Sequence, residues 1–192
     1  MGLLPAAYSP PTTAHVALGE TAQEAFGLRQ VVQVLPRKMP HKRIERPGND
    51  ERLRWLAKIA ARRASWAACS CPTGLVIDVV DAFREEMGPD CRLFVIAGRD
   101  AAERYVSWDY GDGEPFSLQL RRFELLVGSR RGQYRPPAEL VGRVRPFLMH
   151  DRHGGTSSSG VREAIRHGLP WRHMVPSEIC DEVGSLYSGP LG

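Results

Sequence analysis

Short apolar runs rich in β-branched residues alternate along this chain with segments that repeat apolar residues at helical spacing. Val31–Leu35 ends at Pro36, and Leu93–Ala97 has the strongest strand pattern in the chain. Runs that are apolar on both faces are typical of strands buried in a parallel sheet. Further strands are predicted at the opening run from Leu3, at 66–71, at Phe123–Val127 and at Pro146–Met149. This alternation predicts an α/β fold, a Rossmann-like parallel sheet with helices on both faces.

The helical segments carry apolar residues at three- and four-residue spacing. Inward positions are predicted at Ala14, Ala17, Leu18, Ala22, Ala25 and Phe26, at Leu53, Leu56, Ala57 and Ala60, at Val76, Val79, Val80, Phe83 and Met87, and at Val161, Ile165 and Leu169. Pro136-Pro137 predicts the start of a short helix, and a terminal helix is predicted over roughly 176–185. We expect one domain over 1–192, with a helical C-terminal part from about 156 to 192.

Length and composition limit the class of protein. With 192 residues, 42% of them hydrophobic and 25% charged, the chain suits one globular domain with a complete core. No apolar run approaches the roughly 18 residues that a membrane-spanning helix needs. No signal-peptide pattern precedes the first strand, so we expect a cytoplasmic protein without a membrane partner.

The net charge of +4 comes largely from arginine, much of it in pairs. These pairs stand at 62–63, 121–122 and 130–131. Aromatic residues do not interleave with them as in a nucleic-acid stacking platform, whereas arginine clusters also suit a small polyphosphate. We therefore expect no nucleic-acid partner. Cys69, Cys71, Cys91 and Cys180 lack the spacing of a zinc site and predict buried, reduced thiols on strands, so no protein-bound metal is expected.

The first helix opens with Thr12, Thr13 and His15, directly after a Ser-Pro-Pro turn. Hydroxyl groups and an imidazole at a helix N-terminus can hold a phosphate, because the free N–H groups and the helix dipole both favour an anion. The alternative is that Thr12 or Thr13 simply caps the helix. Both readings place these residues at the carboxyl edge of the predicted sheet.

A second helix opens at Thr156-Ser157-Ser158-Ser159-Gly160, with Arg162 in its first turn and Arg166 one turn later. A basic residue in the first turn is unfavourable to the helix dipole unless an anion binds there. The alternative is a flexible Ser/Gly linker, but the run is short and continues directly into a helix. The sequence therefore predicts a second phosphate-binding helix start.

In this order, these motifs resemble those of the nicotinate-nucleotide adenylyltransferases, which belong to the HxGH-type nucleotidyltransferases. Thr12-Thr13-Ala14-His15 stands where the family has HxGH, and Thr156–Arg162 is similar to its ISSTxIR signature. Between them, Pro40-His41-Lys42, the Arg52–Leu56 helix, Gly98-Arg99-Asp100 and Trp108 match further family motifs, and Arg130-Arg131-Gly132 and Leu186-Tyr187 follow. The resemblance covers essentially the whole chain.

The resemblance implies transfer of AMP from ATP to nicotinate or nicotinamide mononucleotide, with release of pyrophosphate and with Mg²⁺ accompanying ATP. His15, Arg162 and Thr12 would act in catalysis. Tyr8, Ser9, Lys42, Ser158 and Ser159 would bind ATP and its phosphates. Gly98, Asp100 and Trp108 would bind the acceptor nucleotide, with Trp108 stacked on the pyridine ring.

Several positions depart from the family pattern and leave alternatives open. Pro5 and Ala6 replace a glycine pair, Ala14 replaces the glycine of HxGH, and Gly74-Leu75-Val76 replaces a threonine-containing segment that contacts the pyridine substituent. One alternative is a nucleotidyltransferase of the same fold with another acceptor or nucleotide. The other is a nucleotide-binding module without catalysis. Whether the chain forms a homo-oligomer also stays open.

Overall fold

The computed structural model describes residues 1–39, 44, 46–130, 132–149 and 156–188. Its strands are β1 Gly2–Pro5, β2 Val31–Pro36, β3 Trp66–Cys71, β4 Phe94–Gly98, β5 Glu124–Ser129 and β6 Val144–Leu148. Its helices are α1 Thr13–Phe26, α2 Asn49–Ala60, α3 Val76–Met87, α4 Arg99–Ser107, α5 Phe116–Gln119, α6 Ser158–Arg166 and α7 Cys180–Ser188. The six strands form one parallel sheet in the order β3-β2-β1-β4-β5-β6. The predicted Rossmann-like α/β fold is confirmed.

The strand order reverses between β1 and β4, since the chain first builds outward to β3 and then outward to β6 on the other side. All four residues of β1 pair with β2, but only Gly2 and Leu3 pair with β4. The two central strands therefore separate toward their carboxyl ends. In open parallel sheets, such a switch point is where ligands bind.

Apolar helix faces cover both sides of the sheet. On one side, buried residues of α1, α2, α6 and α7 form a cluster that includes Leu18, Trp55 and Ile165. On the other side, α3, α4 and α5 contribute residues such as Val79 and Phe116. Because α1, α3 and α4 follow parallel strands along the chain, they begin at the carboxyl edge of the sheet.

Four predicted inward positions are exposed instead: Ala25, Ala57, Met87 and Leu169. Met87 ends α3, and Leu169 follows the end of α6, so both lie beyond the part of each helix that packs on its neighbours. In α2 the large side chains of Trp55 and Ile59 occupy the contact with the sheet, which turns Ala57 outward. Ala25 lies in the last turn of α1.

Some element boundaries also differ from the prediction. The pattern did not indicate α4, because Ala102 is its only buried residue and no apolar stripe marks it. The short helix predicted at Pro136-Pro137 is a 3-10 helix over Ala138–Leu140, with Pro137 as its N-cap. The terminal helix begins at Cys180, because a separate 3-10 turn over Ser177–Ile179 leads into it. The last four residues of the predicted C-terminal part, 189–192, lie outside the described residues.

The structure also bears on the expectations from composition. Within the described ranges, no helix is both long enough and apolar enough to cross a membrane. The four cysteines are free thiols. Cys71 and Cys180 are buried as predicted, but Cys69 and Cys91 are only partly buried. The expected placement on strands holds for Cys69 and Cys71 on β3, whereas Cys180 lies on a helix and Cys91 in a loop.

Candidate functional site

A cavity of about 810 Å³ opens at the switch point between β1 and β4. Its walls come from the carboxyl ends of β1, β4 and β5 and from the starts of α1, α3, α4 and α6. Ligand pockets in proteins commonly have volumes of roughly 300–1,000 Å³, so this cavity is large enough for a nucleotide. Predicted site residues that line it are Thr12, His15, Gly98, Asp100, Trp108 and Ser158.

His15 stands in the first turn of α1 and is held by Thr12, the N-cap residue. The backbone N–H of Thr12 donates to His15 Nδ1 at 3.1 Å, and the Thr12 hydroxyl lies 2.7 Å from the same nitrogen. Because a backbone N–H can only donate, Nδ1 must be the acceptor, so the proton of the neutral ring is on Nε2. Thr12 is thus both the predicted cap and the residue that fixes the His15 tautomer.

The electrostatic surroundings keep His15 uncharged. Burial lowers the pKa of His15 to about 4, and the nearby charge of Arg130 lowers it further in the same direction. At neutral pH the ring therefore offers a neutral N–H donor at the cavity wall. Such a donor can bind a phosphate oxygen without a change of its own protonation.

Tyr8 packs against His15 and does not line the cavity. Its side chain is fully buried, its hydroxyl donates to the Leu4 carbonyl at 2.5 Å, and its ring centroid lies 5.1 Å from that of His15. Tyr8 has a φ of 49°, in the left-handed region that is uncommon for a residue other than glycine. The structure therefore places Tyr8 as packing beneath His15, because its hydroxyl is already engaged with the backbone.

The loop that connects β1 to α1, residues 6–11, is held by donors from distant helices. Arg52 of α2 donates to the Ala7 carbonyl at 2.6 Å, and Arg162 of α6 donates to the Ser9 carbonyl. Further contacts join Ser158 Oγ to the Pro10 carbonyl at 2.8 Å and the Tyr187 hydroxyl to Ser9 Oγ at 3.3 Å. Ser9 and Arg162 are therefore engaged in fixing this loop and are not among the cavity-lining residues.

The start of α6 forms another part of the cavity wall. Ser157 is the N-cap, and its hydroxyl accepts from the Gly160 backbone N–H at 3.0 Å. Thr156, Ser157 and Ser158 line the cavity, whereas Ser159 is exposed outside it and accepts from Arg162 at 3.1 Å. The predicted linker alternative is wrong, because the run directly caps and begins a helix.

The residues predicted to bind the acceptor lie on α4 and directly before and after it. Gly98 ends β4 and is the N-cap of α4. A Cβ at Gly98 would meet nothing within 4 Å, so the space beside this backbone is open. Asp100 and the half-buried Trp108 also line the cavity, together with Tyr105 and Tyr110.

Three arginines at the cavity were not predicted as site residues: Arg99, Arg104 and Arg130. Arg99 and Arg130 directly follow the carboxyl ends of β4 and β5, which is the sequence signal that could have identified them. Arg130 donates to the Thr156 carbonyl at 2.8 Å and thereby joins β5 to the start of α6. Lys42, predicted to bind phosphate, lies outside the described residues.

Within the described part of the chain, no group of three or more His, Cys, Asp and Glu side chains comes together as a metal ligand set. Asp100 is the carboxylate that lines the cavity. Burial raises the pKa of the Cys69 thiol to about 11, so this thiol stays protonated at neutral pH and is a poor metal ligand.

Comparison with known proteins identifies relatives of similar length. No protein-family model matches the chain. A probable nicotinate-nucleotide adenylyltransferase of Bordetella pertussis is 31% identical over 93% of this chain and 92% of the relative. The corresponding protein of Thermus thermophilus is 27% identical over 97% and 98%, and that of Moorella thermoacetica is 24% identical over 96% and 89%.

A solved structure shares the fold. The nicotinic acid mononucleotide adenylyltransferase of Plasmodium falciparum, complexed with APC, superposes with a TM-score of 0.71 at 12% identity, over 100% of this chain and 98% of that one. At this identity the likeness concerns the architecture of the sheet and helices. The sequence relatives, which match over nearly their whole length, carry the assignment further: this chain belongs to the nicotinate-nucleotide adenylyltransferase family.

Proposed function

We propose that this protein transfers AMP from ATP to nicotinate mononucleotide, forming a dinucleotide and pyrophosphate. The observation that carries the proposal is the meeting of two helix starts, at Thr12–His15 and at Ser157–Ser158, across one cavity at the switch point. Each start offers backbone N–H groups to an anion, and the first adds the Nε2–H of His15. Transfer between two phosphorylated substrates requires two such anion sites side by side.

The reaction is an in-line displacement at the α-phosphorus of ATP. An oxygen of the acceptor's 5′-phosphate forms a new bond to the α-phosphorus, and the bond from that phosphorus to the oxygen bridging to the β-phosphate breaks. The electron pair of the broken bond leaves with pyrophosphate. The protein contributes positioning of both phosphates and stabilisation of the charge that develops between them.

Individual residues have separate tasks in this proposal. His15 donates from Nε2 to an α-phosphate oxygen, and Thr12 keeps the ring in that tautomer. The first backbone N–H groups of α6, beginning with that of Ser158, bind the departing phosphates, next to the charge of Arg130. Arg162 positions the β1–α1 loop through the Ser9 carbonyl. Lys42 remains a phosphate ligand by resemblance alone.

For the acceptor, we assign the α4 wall. Asp100 accepts hydrogen bonds from a ribose, and the open space beside Gly98 lets the nucleotide approach the backbone. Trp108 provides an aromatic face against which the pyridine ring can stack.

Mg²⁺ fits this cavity as part of the ATP complex. Magnesium at such sites is usually held by one or two carboxylates together with substrate phosphates and water. Asp100 is a cavity-lining carboxylate that can bind a metal-bound water. The ion would neutralise charge on the triphosphate and favour departure of pyrophosphate.

The test is pyrophosphate release from each of the four common nucleoside triphosphates with Mg²⁺, against nicotinate mononucleotide, nicotinamide mononucleotide and unrelated phosphorylated acceptors. We expect turnover with ATP and a pyridine mononucleotide, and mass spectrometry should find the dinucleotide. Binding of ATP by calorimetry without turnover of any acceptor would instead support a non-catalytic module.

A second candidate is a nucleotidyltransferase with a different acceptor. The observation that favours it is the cavity wall at Gly74, Leu75 and Val76, which has no polar side chain for the pyridine substituent. Turnover restricted to a non-pyridine acceptor in the same panel would establish this candidate. In either case the four free thiols agree with a reducing compartment such as the cytoplasm, where we expect the protein to act.

A further inference from the structure

We propose that Arg104 makes this protein select a pyridine mononucleotide whose ring carries a carboxylate over one that carries a neutral amide. The inference rests on the proposed function, because it assumes that a pyridine nucleotide occupies the cavity. The start of α3 has no polar side chain that could recognise the substituent on the pyridine ring. The inference assigns this recognition to a residue of α4.

Arg104 lies between the two α4-side residues that we assign to the acceptor. Asp100 and Arg104 lie one turn apart on α4, Trp108 is the residue directly after the helix, and all three line the cavity. Four residues of helix rise about 6 Å, and side chains at this spacing lie on the same face. A pyridine ring stacked on Trp108 therefore lies about one helical turn from Arg104, within reach of its long side chain.

Arg104 also differs from its neighbours in having no hydrogen-bond or ion-pair partner within the described part of the chain. Arg99 donates to Glu103 at 2.8 Å, and Arg130 donates to the Thr156 carbonyl at 2.8 Å. Among the residues that the structure describes, Arg104 forms neither a hydrogen bond nor an ion pair, although Asp100 stands one turn away. Its guanidinium is exposed and free to bind an anion from the ligand.

The cavity wall at the start of α3 offers no side-chain partner to an acidic ring. Gly74, Leu75 and Val76 line the cavity with apolar groups. A carboxylate placed against them would lose water without gaining a side-chain partner, which is costly. A guanidinium can bind a carboxylate through two parallel hydrogen bonds, whereas a neutral amide gains no ion pair from it. The arrangement therefore favours the acid over the amide.

Arg104 is not placed to serve the phosphates equally well. The groups that we assign to them, His15, Ser158 and Arg130, lie on α1, on α6 and at the end of β5. If Arg104 nevertheless contacted the acceptor phosphate, the acid and the amide would depend on it to the same extent. Selectivity between the two acceptors, rather than overall activity, is thus the quantity that tests the proposal.

The experiment compares kcat/KM for nicotinate and nicotinamide mononucleotide in the wild type, in Arg104→Gln and in Arg104→Lys. Loss of a charge-assisted bidentate contact should lower kcat/KM for the acid roughly tenfold or more in Arg104→Gln. The value for the amide should stay within about twofold, and Arg104→Lys should retain part of the preference. Calorimetric titration of each mononucleotide without ATP should show the same difference in Kd.

The matched control is Arg54→Gln, since Arg54 is exposed on α2 and does not line the cavity. It should leave the ratio of the two acceptors unchanged. An equal fall for both acceptors in Arg104→Gln, or no change for either, overturns the role of Arg104 while leaving the proposed function intact. If the wild type neither turns over nor binds a pyridine mononucleotide, the proposed function itself fails, and this inference fails with it.

Discussion

His15 presents a neutral hydrogen-bond donor to the cavity because two neighbours determine its state. Thr12 occupies Nδ1 through its backbone N–H, and the charge of Arg130 together with burial opposes protonation. A donor that is already oriented and uncharged needs no reorganisation when charge develops on a phosphate oxygen. The chemistry of this residue thus follows from the helix cap that holds it.

The lowered pKa of His15 predicts a specific dependence of stability on pH. An unfolded histidine titrates near 6.5, whereas His15 in the folded protein titrates at about 4. Between these two values the unfolded state binds more protons than the folded state. The contribution of His15 to the unfolding free energy is therefore fully present above pH 6.5 and decreases as the pH falls toward 4. Urea denaturation at several pH values from about 7.5 down to about 4.5 should show this loss of unfolding free energy.

The control for this measurement is His15→Gln, which has no titrating ring. Other groups titrate in the same range, so the informative quantity is the difference between the two proteins. The stability of the variant should decline less steeply toward low pH than that of the wild type. Parallel curves for the two proteins would show that His15 is not held in the neutral form by the fold.

At the scale of elements, the β1–α1 loop is shaped by residues far from it in sequence. Arg52 from α2, Arg162 and Ser158 from α6, and Tyr187 from α7 contact its backbone or its Ser9 hydroxyl. Arg52 is almost fully buried, and burial lowers its pKa. This loop is therefore held in place by side chains of three other helices.

Replacing Arg52 with methionine should release one side of this loop. The partly buried Ala7 carbonyl would lose a charged donor, and a hydrogen bond to a charged group contributes about 1.5–3 kcal/mol. We expect a fall of that size in unfolding free energy and, because the loop carries Tyr8 beneath His15, a decrease in kcat. Arg54→Met on the exposed side of α2 is the matched control and should change both quantities little. Equal effects of the two substitutions would contradict the role assigned to Arg52.

The elements that the sequence predicted best are those whose apolar pattern is set by the sheet. Val31–Leu35 and Leu93–Ala97 are strands because both of their faces are buried, and this is visible in composition. The polar helix α4 was not visible, since a single buried alanine leaves no stripe. The contacts of Arg52 and Tyr187 could not be predicted either, because they depend on how helices from different parts of the chain meet.

At the scale of the whole molecule, α1 approaches the sheet closely at a glycine. A Cβ at Gly19 would lie 2.5 Å from the Trp66 ring, which is fixed on β3 and donates to Gln23 at 2.9 Å. This ring cannot move away easily, since it lies between helix and sheet. Gly19 therefore sets the distance between α1, which carries His15, and the sheet.

We predict that Gly19→Ala lowers the unfolding free energy by about 1–3 kcal/mol, because the added methyl group overpacks the contact with Trp66. The substitution would otherwise favour helix formation, so destabilisation is informative. Thermal and urea denaturation should be compared with Glu24→Ala, an exposed position on the same helix whose replacement should change stability by no more than about 0.5 kcal/mol. A Gly19→Ala protein as stable as the wild type would show that α1 can move away from the sheet.

The sequence predicted those residues of the candidate site that belong to a motif and also lie near the carboxyl edge of the sheet. Thr12, His15, Gly98, Asp100, Trp108 and Ser158 all line the cavity, because each lies near the carboxyl edge of the sheet, at a helix start or along α4. Arg162 and Ser9 were predicted from the same motifs, but in the folded chain they contact each other. Side-chain partners across the molecule decide such cases, and a linear pattern does not contain them.

The central claim is that this cavity transfers AMP between ATP and a pyridine mononucleotide, with His15 stabilising the reacting phosphate. The most direct measurement is the rate of dinucleotide formation from ATP and nicotinate mononucleotide with Mg²⁺ by the wild type and by His15→Ala, whose folding is verified by circular dichroism. We predict dinucleotide from the wild type and a rate at least roughly a hundredfold lower from the variant. Equal rates from the two proteins, or no dinucleotide from the wild type, would contradict the claim.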